Sequence, residues 1–164
     1  MAWTKPAYDR ARVNKAAQSL LSEILDEEKR NIELDILNNW RSSHAYPLQC
    51  IKMSLLNRAK KIDRLAIVAQ RIKRLPSIYS KLKREPQMKL TQMQDIGGCR
   101  AVVSNINNVD DLIELYEEAL SKNPRGRPEQ VHVKNYVKFP KPDGYRGIHL
   151  VYKFRSGSLK HRIF

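Results

Sequence analysis

The chain has 164 residues, with 31 Lys and Arg against 17 Asp and Glu, a net charge of +14. That length supports one domain with a real core, and no apolar run is long enough to span a bilayer. The two cysteines, Cys50 and Cys99, lack Cys-x-x-Cys or Cys/His spacing, which argues against a disulfide framework or a zinc site and fits a reduced, cytoplasmic protein.

The first residues, MAWTKPAYDRARVNK, carry no apolar block followed by a small-residue cleavage site, so no signal peptide is expected. The charge is unevenly placed. Residues 52–100 carry a net +10, residues 101–121 a net −5, and residues 122–164 a net +9, while residues 1–51 are neutral. Two basic blocks are either a solvated surface or a binding surface for polyphosphate or nucleic acid.

In chain order, residues 9–42 read as one long helix, with Val13, Ala16, Ala17, Leu20, Leu21, Ile24, Leu25, Ile32, Ile36 and Trp40 at helical spacing. Pro47 suits the first turn of a second helix with an apolar stripe of Leu48, Ile51, Leu55, Ala59 and Ile62. From about residue 65 the pattern changes. LAIVAQRIKR reads as a strand, SIYSKLKRE as a short helix capped by Ser77, LTQMQD as another short helix, and CRAVVSN as a buried strand. NNVDDLIELYEEALSKN is an amphipathic helix capped by Asn108. VHVKNYVKF and YRGIHLVYKF are two strands joined by the turn Pro142-Asp143-Gly144. The outcome is an N-terminal helical segment, residues 1–64, followed by an α/β core, residues 65–164.

Three groups carry candidate chemistry. Arg71, Lys73 and Arg74 sit at a strand end, with Lys81 one short helix later; they read as a polyphosphate cradle or as a solvated strand end. In QDIGGCR, Asp95 precedes two glycines and Arg100 follows them. A lone carboxylate beside cations suits Mg2+ carried by substrate phosphates, and Asp also closes turns for purely structural reasons. In the last group, Tyr145 offers a ring for base stacking, with Lys134, Lys138, Lys141 and Arg146 around it. His149 is a candidate for proton transfer or phosphate contact, or a strand histidine satisfied by a neighbour.

RIKRLPSIYSKL, QDIGGCRAVV and VKNYVKFPKPDGYRGIH, in that order and spacing, resemble the synthetase domain of the RelA/SpoT family over roughly residues 65–155. NWRSSHAYPL further resembles the helical N-terminal part of small alarmone synthetases, including the toxic subgroup. The resemblance implies a nucleotidyltransferase-like fold with a mixed β-sheet flanked by helices. It implies an enzyme that moves the β,γ-pyrophosphate of ATP to a ribose 3′-hydroxyl of GDP or GTP. Arg71, Lys73, Lys81 and Arg100 then bind ATP, Asp95 holds Mg2+, and Lys134 and Lys141 face phosphates. Tyr145 stacks on the acceptor base and His149 contacts the acceptor, with Asp95 and His149 as the catalytic pair. An alternative acceptor is the 3′ end of tRNA, as in toxic members, with an antitoxin or a C-terminal domain as partner.

One departure stands out. The family carries a Glu in a motif like E-x-Q-x-R on the strand after GYRGIH, and no acidic residue follows Asp143 here. That implies a chain incomplete at its C-terminus, lacking its last sheet strand and leaving an exposed edge. It also opens a third reading, a catalytically dead nucleotide- or RNA-binding module. Oligomeric state is not fixed by the sequence.

Overall fold

The apolar stripe expected along one helix over residues 9–42 is divided between two helices in the computed structural model, which describes residues 3–22, 25–122, 129–156 and 159–163. α1 (Arg10–Leu21) starts at Asp9, whose carboxylate accepts from the Arg12 N–H at 2.7 Å. α2 (Glu27–Ser42) restarts at Asp26, which accepts from the Lys29 N–H at 2.7 Å. A single rod would leave its stripe in water. Folding back buries Val13, Ala16, Ala17 and Leu20 against Ile36, Leu37 and Trp40, and removing apolar surface from water is the dominant stabilising term. Ile32, placed inside by the one-helix reading, is 49% exposed. Ile24 lies outside the described residues.

α3 (Ala45–Ile62) carries Pro47 in its first turn, as expected. β1 (Ile67–Ile72) pairs antiparallel with β2 (Gly97–Val102). Their inner face packs Val68 and Ala101 against Ala59 of α3. Between the strands lie α4 (Leu75–Arg84) and a 3-10 turn, Leu90–Gln92. Ser77 is not the cap of α4: the cap position is Arg74, and Pro76, with its fixed φ, takes the early helical place. Ile78, Leu82, Leu90, Met93 and Ile96 join the α1–α2 core. The connection therefore leaves and re-enters the ladder at one end, where the Lys73 N–H donates to the Ile96 carbonyl at 2.8 Å. This is why the pair is antiparallel.

α5 (Ile106–Lys122) is capped by Asn105, not Asn108; the Asn105 side chain accepts from the Asn108 N–H at 2.9 Å, because the helix begins before Asn108. Asp63, buried at the end of α3, accepts from the Ser104 N–H and hydroxyl, both at 2.7 Å, and fixes the entry to α5. β3 (Glu129–Asn135), β4 (Ile148–Ser156) and β5 (Leu159–Ile163) form a second antiparallel sheet in the order β3-β4-β5. The α/β class holds, but the single mixed sheet resolves into two antiparallel ladders. The edge expected to be exposed on β4 is covered by a following strand: β5 pairs antiparallel with β4, Lys153 opposite Ile163. Aromatic contacts seat this sheet on the helices: Phe154 meets Tyr46 edge-on at 6.0 Å, and Tyr152 lies 6.1 Å from Tyr116, over which Arg58 stacks at 4.7 Å. Among the described residues no helix is long and apolar enough to cross a membrane.

Candidate functional site

The outer face of the β1–β2 ladder is built from Arg71 opposite Gly98 and Ala69 opposite Arg100. Paired residues share a face, so the two guanidinium groups stand diagonally across two small residues. A Cβ at Gly98 would meet no atom within 4 Å. The result is a low floor flanked by two exposed cations, neither of which has a hydrogen bond or ion pair among the described residues. Arg100, on a strand expected to be buried, faces outward because the inner face is taken by Val68, Cys99 and Ala101.

At the end of that floor, Asp95 accepts from Lys73 Nζ at 2.8 Å through one oxygen and from Lys81 Nζ at 3.0 Å through the other. Lys73 extends from the end of β1 and Lys81 from α4, so strand and helix are clasped through one carboxylate. Burial pushes the Asp95 carboxyl up, but hydrogen bonds from the two lysines and their charge outweigh it and hold the group below its ordinary range. Among the described residues no group of three or more His, Cys, Asp and Glu is placed to hold a metal. Each Asp95 oxygen accepts one hydrogen bond from a lysine and keeps a second lone pair. This donor set fits a divalent ion carried in on a polyphosphate, not one held by protein groups alone.

The third group sits where β3 passes into β4. Asp143 accepts from the Tyr145 N–H at 3.0 Å, the Gly144 N–H donates to the Lys141 carbonyl at 2.9 Å, and Gly144 takes φ +80°, which favours glycine. The turn folds Tyr145 back so that its hydroxyl lies 2.9 Å from His149 Nε2. Tyr136 completes a cluster of edge-on rings, 5.9 Å from Tyr145 and 5.2 Å from His149. The Lys141 ammonium lies over both tyrosine rings, at 4.7 Å and 5.3 Å. Gly147 makes room for this: a Cβ there would stand 3.0 Å from the Tyr145 hydroxyl. Lys134 faces His149 across the ladder. Burial lowers the His149 pKa, and the charges of Lys141, Lys134 and Arg100 lower it further, so the ring is neutral at pH 7.

The Arg100 charge acts on His149, so the candidate residues of the two sheets are close enough to interact. Arg71, Lys73, Lys81, Asp95 and Arg100 lie on the first sheet and adjoining helix, and Lys134, Lys141, Tyr145 and His149 on the second. Lys138 and Arg146 are exposed beside the turn: the Lys138 backbone N–H donates to Asn135 Oδ1 at 2.9 Å, and the Arg146 guanidinium donates to the Gly144 carbonyl at 3.0 Å. Sequence reasoning passed over Tyr136 and Gly147; their aromatic and glycine neighbours in NYVKFPKPDGYRG were the available signal. Burial raises the Cys99 thiol to about 11, which takes it out of nucleophilic chemistry. A separate cleft between α3 and α5, lined by Arg58, Lys61, Leu115 and Lys122, holds none of these residues.

Comparison with known proteins gives a consistent picture. The family profile described as "Region found in RelA / SpoT proteins" matches residues 70–163. The GTP pyrophosphokinase YwaC of Bacillus subtilis (strain 168) is 33% identical over 90 residues, 49% of this chain; the match spans only 38% of that relative's length. The small alarmone synthetase 1 of Bacillus subtilis, solved with its product pppGpp, superposes with a TM-score of 0.56 at 25% identity, covering 76% of this chain and 68% of that one. A GTP pyrophosphokinase family protein of Streptococcus pneumoniae shares the fold with a TM-score of 0.63 at 19% identity, covering 77% of this chain and 64% of that one.

Proposed function

This chain belongs to the RelA/SpoT family, and from that premise we propose that it transfers the β,γ-pyrophosphate of ATP to the ribose 3′-hydroxyl of GDP or GTP. The observation that carries the proposal is the convergence of Lys73 and Lys81 on Asp95 beside the floor between Arg71 and Arg100. The floor takes the flat base of ATP between guanidinium groups, which stack on ring faces. The lysines and arginines take the phosphates, and Asp95 is the protein ligand for the Mg2+ that comes with them. Bound there, Mg2+ neutralises phosphate charge.

Tyr145 stacks on the acceptor base, and Lys134 and Lys141 hold the acceptor phosphates. The acceptor's 3′-oxygen forms a bond to the β-phosphorus, and the bond from that phosphorus to the oxygen of AMP breaks. The hydroxyl proton passes to His149, which is neutral at pH 7 and able to receive it. Positioning and charge stabilisation carry most of the rate in such transfers.

A second acceptor, the 3′ end of tRNA, is favoured by the net charge of +14 and its spread over residues 52–100 and 122–164, more than a single nucleotide needs. Incubation with γ-labelled ATP, Mg2+ and either GDP, GTP or tRNA tests the reading. Label on the guanine nucleotide is the expected result, and label on tRNA alone supports the second acceptor. ATP binding without transfer to any acceptor leaves a nucleotide- or RNA-binding module and overturns the enzymatic reading.

A further inference from the structure

We propose that Arg41 is a positioning residue that braces the end of β1, so that Lys73 is aimed at Asp95 and at the donor polyphosphate. For its ligand this rests on the reading above; for the brace it rests on geometry alone. Arg41 stands in the last turn of α2, in the NWRSSHAYPL stretch, outside the residues matched by the family profile. It is half-buried, and a guanidinium out of water needs partners. Its Nη1 donates to Asn38 Oδ1 at 2.9 Å, one turn back on the same helix. Its Nε donates to the backbone carbonyl of Lys73 at 3.0 Å. The planar fork makes both bonds at once, which an ammonium group does not do in the same geometry.

Lys73 is thereby held from three sides. Its N–H donates to the Ile96 carbonyl just before β2, its carbonyl accepts from Arg41, and its ammonium donates to Asp95. Only 13% of its side chain is exposed. Arg41 also borders α4, the helix that carries Lys81. Burial raises the Tyr79 phenol on that helix, and the charges of Arg30 and Arg41 oppose the rise. The simpler role for an arginine in a last helical turn is to satisfy that helix's own final carbonyls. Here Nε reaches across to the strand end instead, at a sequence separation of 32. The N-terminal helices thus fix the position of one donor-binding cation.

The test is hydrogen exchange and kinetics on the full chain carrying Arg41→Ala or Arg41→Lys. Loss of the brace speeds exchange of the Lys73 amide by about five- to tenfold, the worth of one hydrogen bond. Protection of the α1–α2 core stays as in the wild type. The KM for ATP rises by about the same factor, while the KM for GDP and the melting temperature move little. Arg41→Lys keeps the charge without the fork and shows the same local change. It stands as the deciding variant if Arg41→Ala does not fold. Unchanged exchange at Lys73 in the folded variants, or exchange raised equally throughout the core, overturns the brace. Faster exchange at Lys73 with an unchanged KM for ATP overturns its link to the donor. If the wild type transfers no pyrophosphate to any acceptor, the functional reading fails separately, and the exchange data alone decide the brace.

Discussion

The two sheets handle their lysines in opposite ways. Beside β1 and β2, Lys73 and Lys81 share the one carboxylate of Asp95 and are largely withdrawn from solvent. Beside β3 and β4, Lys134 and Lys141 have no carboxylate partner among the described residues, and their charge falls on His149 and on the tyrosine rings. The first arrangement is preorganised: strand and helix are locked before any ligand arrives, so little ordering is left to the moment of binding. The second is unsatisfied and open, and an incoming anion relieves it. The proposed reaction, with a donor held in line and an acceptor that enters and leaves, calls for that division.

The largest expected effect is at the clasp. Asp95→Asn removes the charge that holds Lys73 and Lys81 together and takes away the proposed metal ligand. Transfer falls by about 100- to 1,000-fold, with far-ultraviolet circular dichroism unchanged. Retained turnover would end the role given to Asp95. Next comes the proposed acceptor platform. Tyr145→Ala weakens acceptor use by about 1–3 kcal/mol, the worth of a base-stacking ring, seen as a raised KM for GDP in steady-state assays.

The pH dependence is of intermediate size. Burial and then the charges of Lys141, Lys134 and Arg100 lower the His149 pKa, so the folded protein favours the neutral ring. Its contribution to stability is complete above the ordinary histidine value of about 6.5 and is lost as pH falls through the lower folded value. Transfer follows the same limb, rising with pH and levelling off below neutrality. Lys141→Ala moves the inflection upward, which a pH–rate profile reads directly. The smallest effect is Gly147→Ala. Its new methyl group meets the Tyr145 hydroxyl at 3.0 Å and tilts the ring, so the KM for GDP rises by a fraction of the Tyr145→Ala change while the KM for ATP stays put.

Much of this was legible in the sequence, and for local reasons. Pro142, Asp143 and Gly144 announce their turn because each acts on its own backbone. Arg71, Lys73, Lys81, Asp95 and Tyr145 stood out by residue type and spacing. What was hidden depends on contacts distant in sequence. The break between α1 and α2 is masked by a stripe whose period runs on past it, and only packing of Leu20 against Trp40's helix shows why the chain turns back. The clasp of Asp95 by two lysines needs Ile78 and Leu82 to draw α4 into the helical core. The bond from Arg41 to Lys73 spans 32 residues and has no local signature. Tyr136 reads as an ordinary strand-end aromatic until the turn brings Tyr145 and His149 against it.

We propose that donor and acceptor are bound by different sheets. This is tested most directly by titrating a non-hydrolysable ATP analogue and GDP, each with Mg2+, into wild type, Lys81→Ala and Tyr145→Ala, and measuring affinities by calorimetry. The division predicts that Lys81→Ala loses affinity for the ATP analogue and keeps GDP, while Tyr145→Ala does the reverse. Loss of the ATP analogue in Tyr145→Ala with GDP binding intact would contradict it.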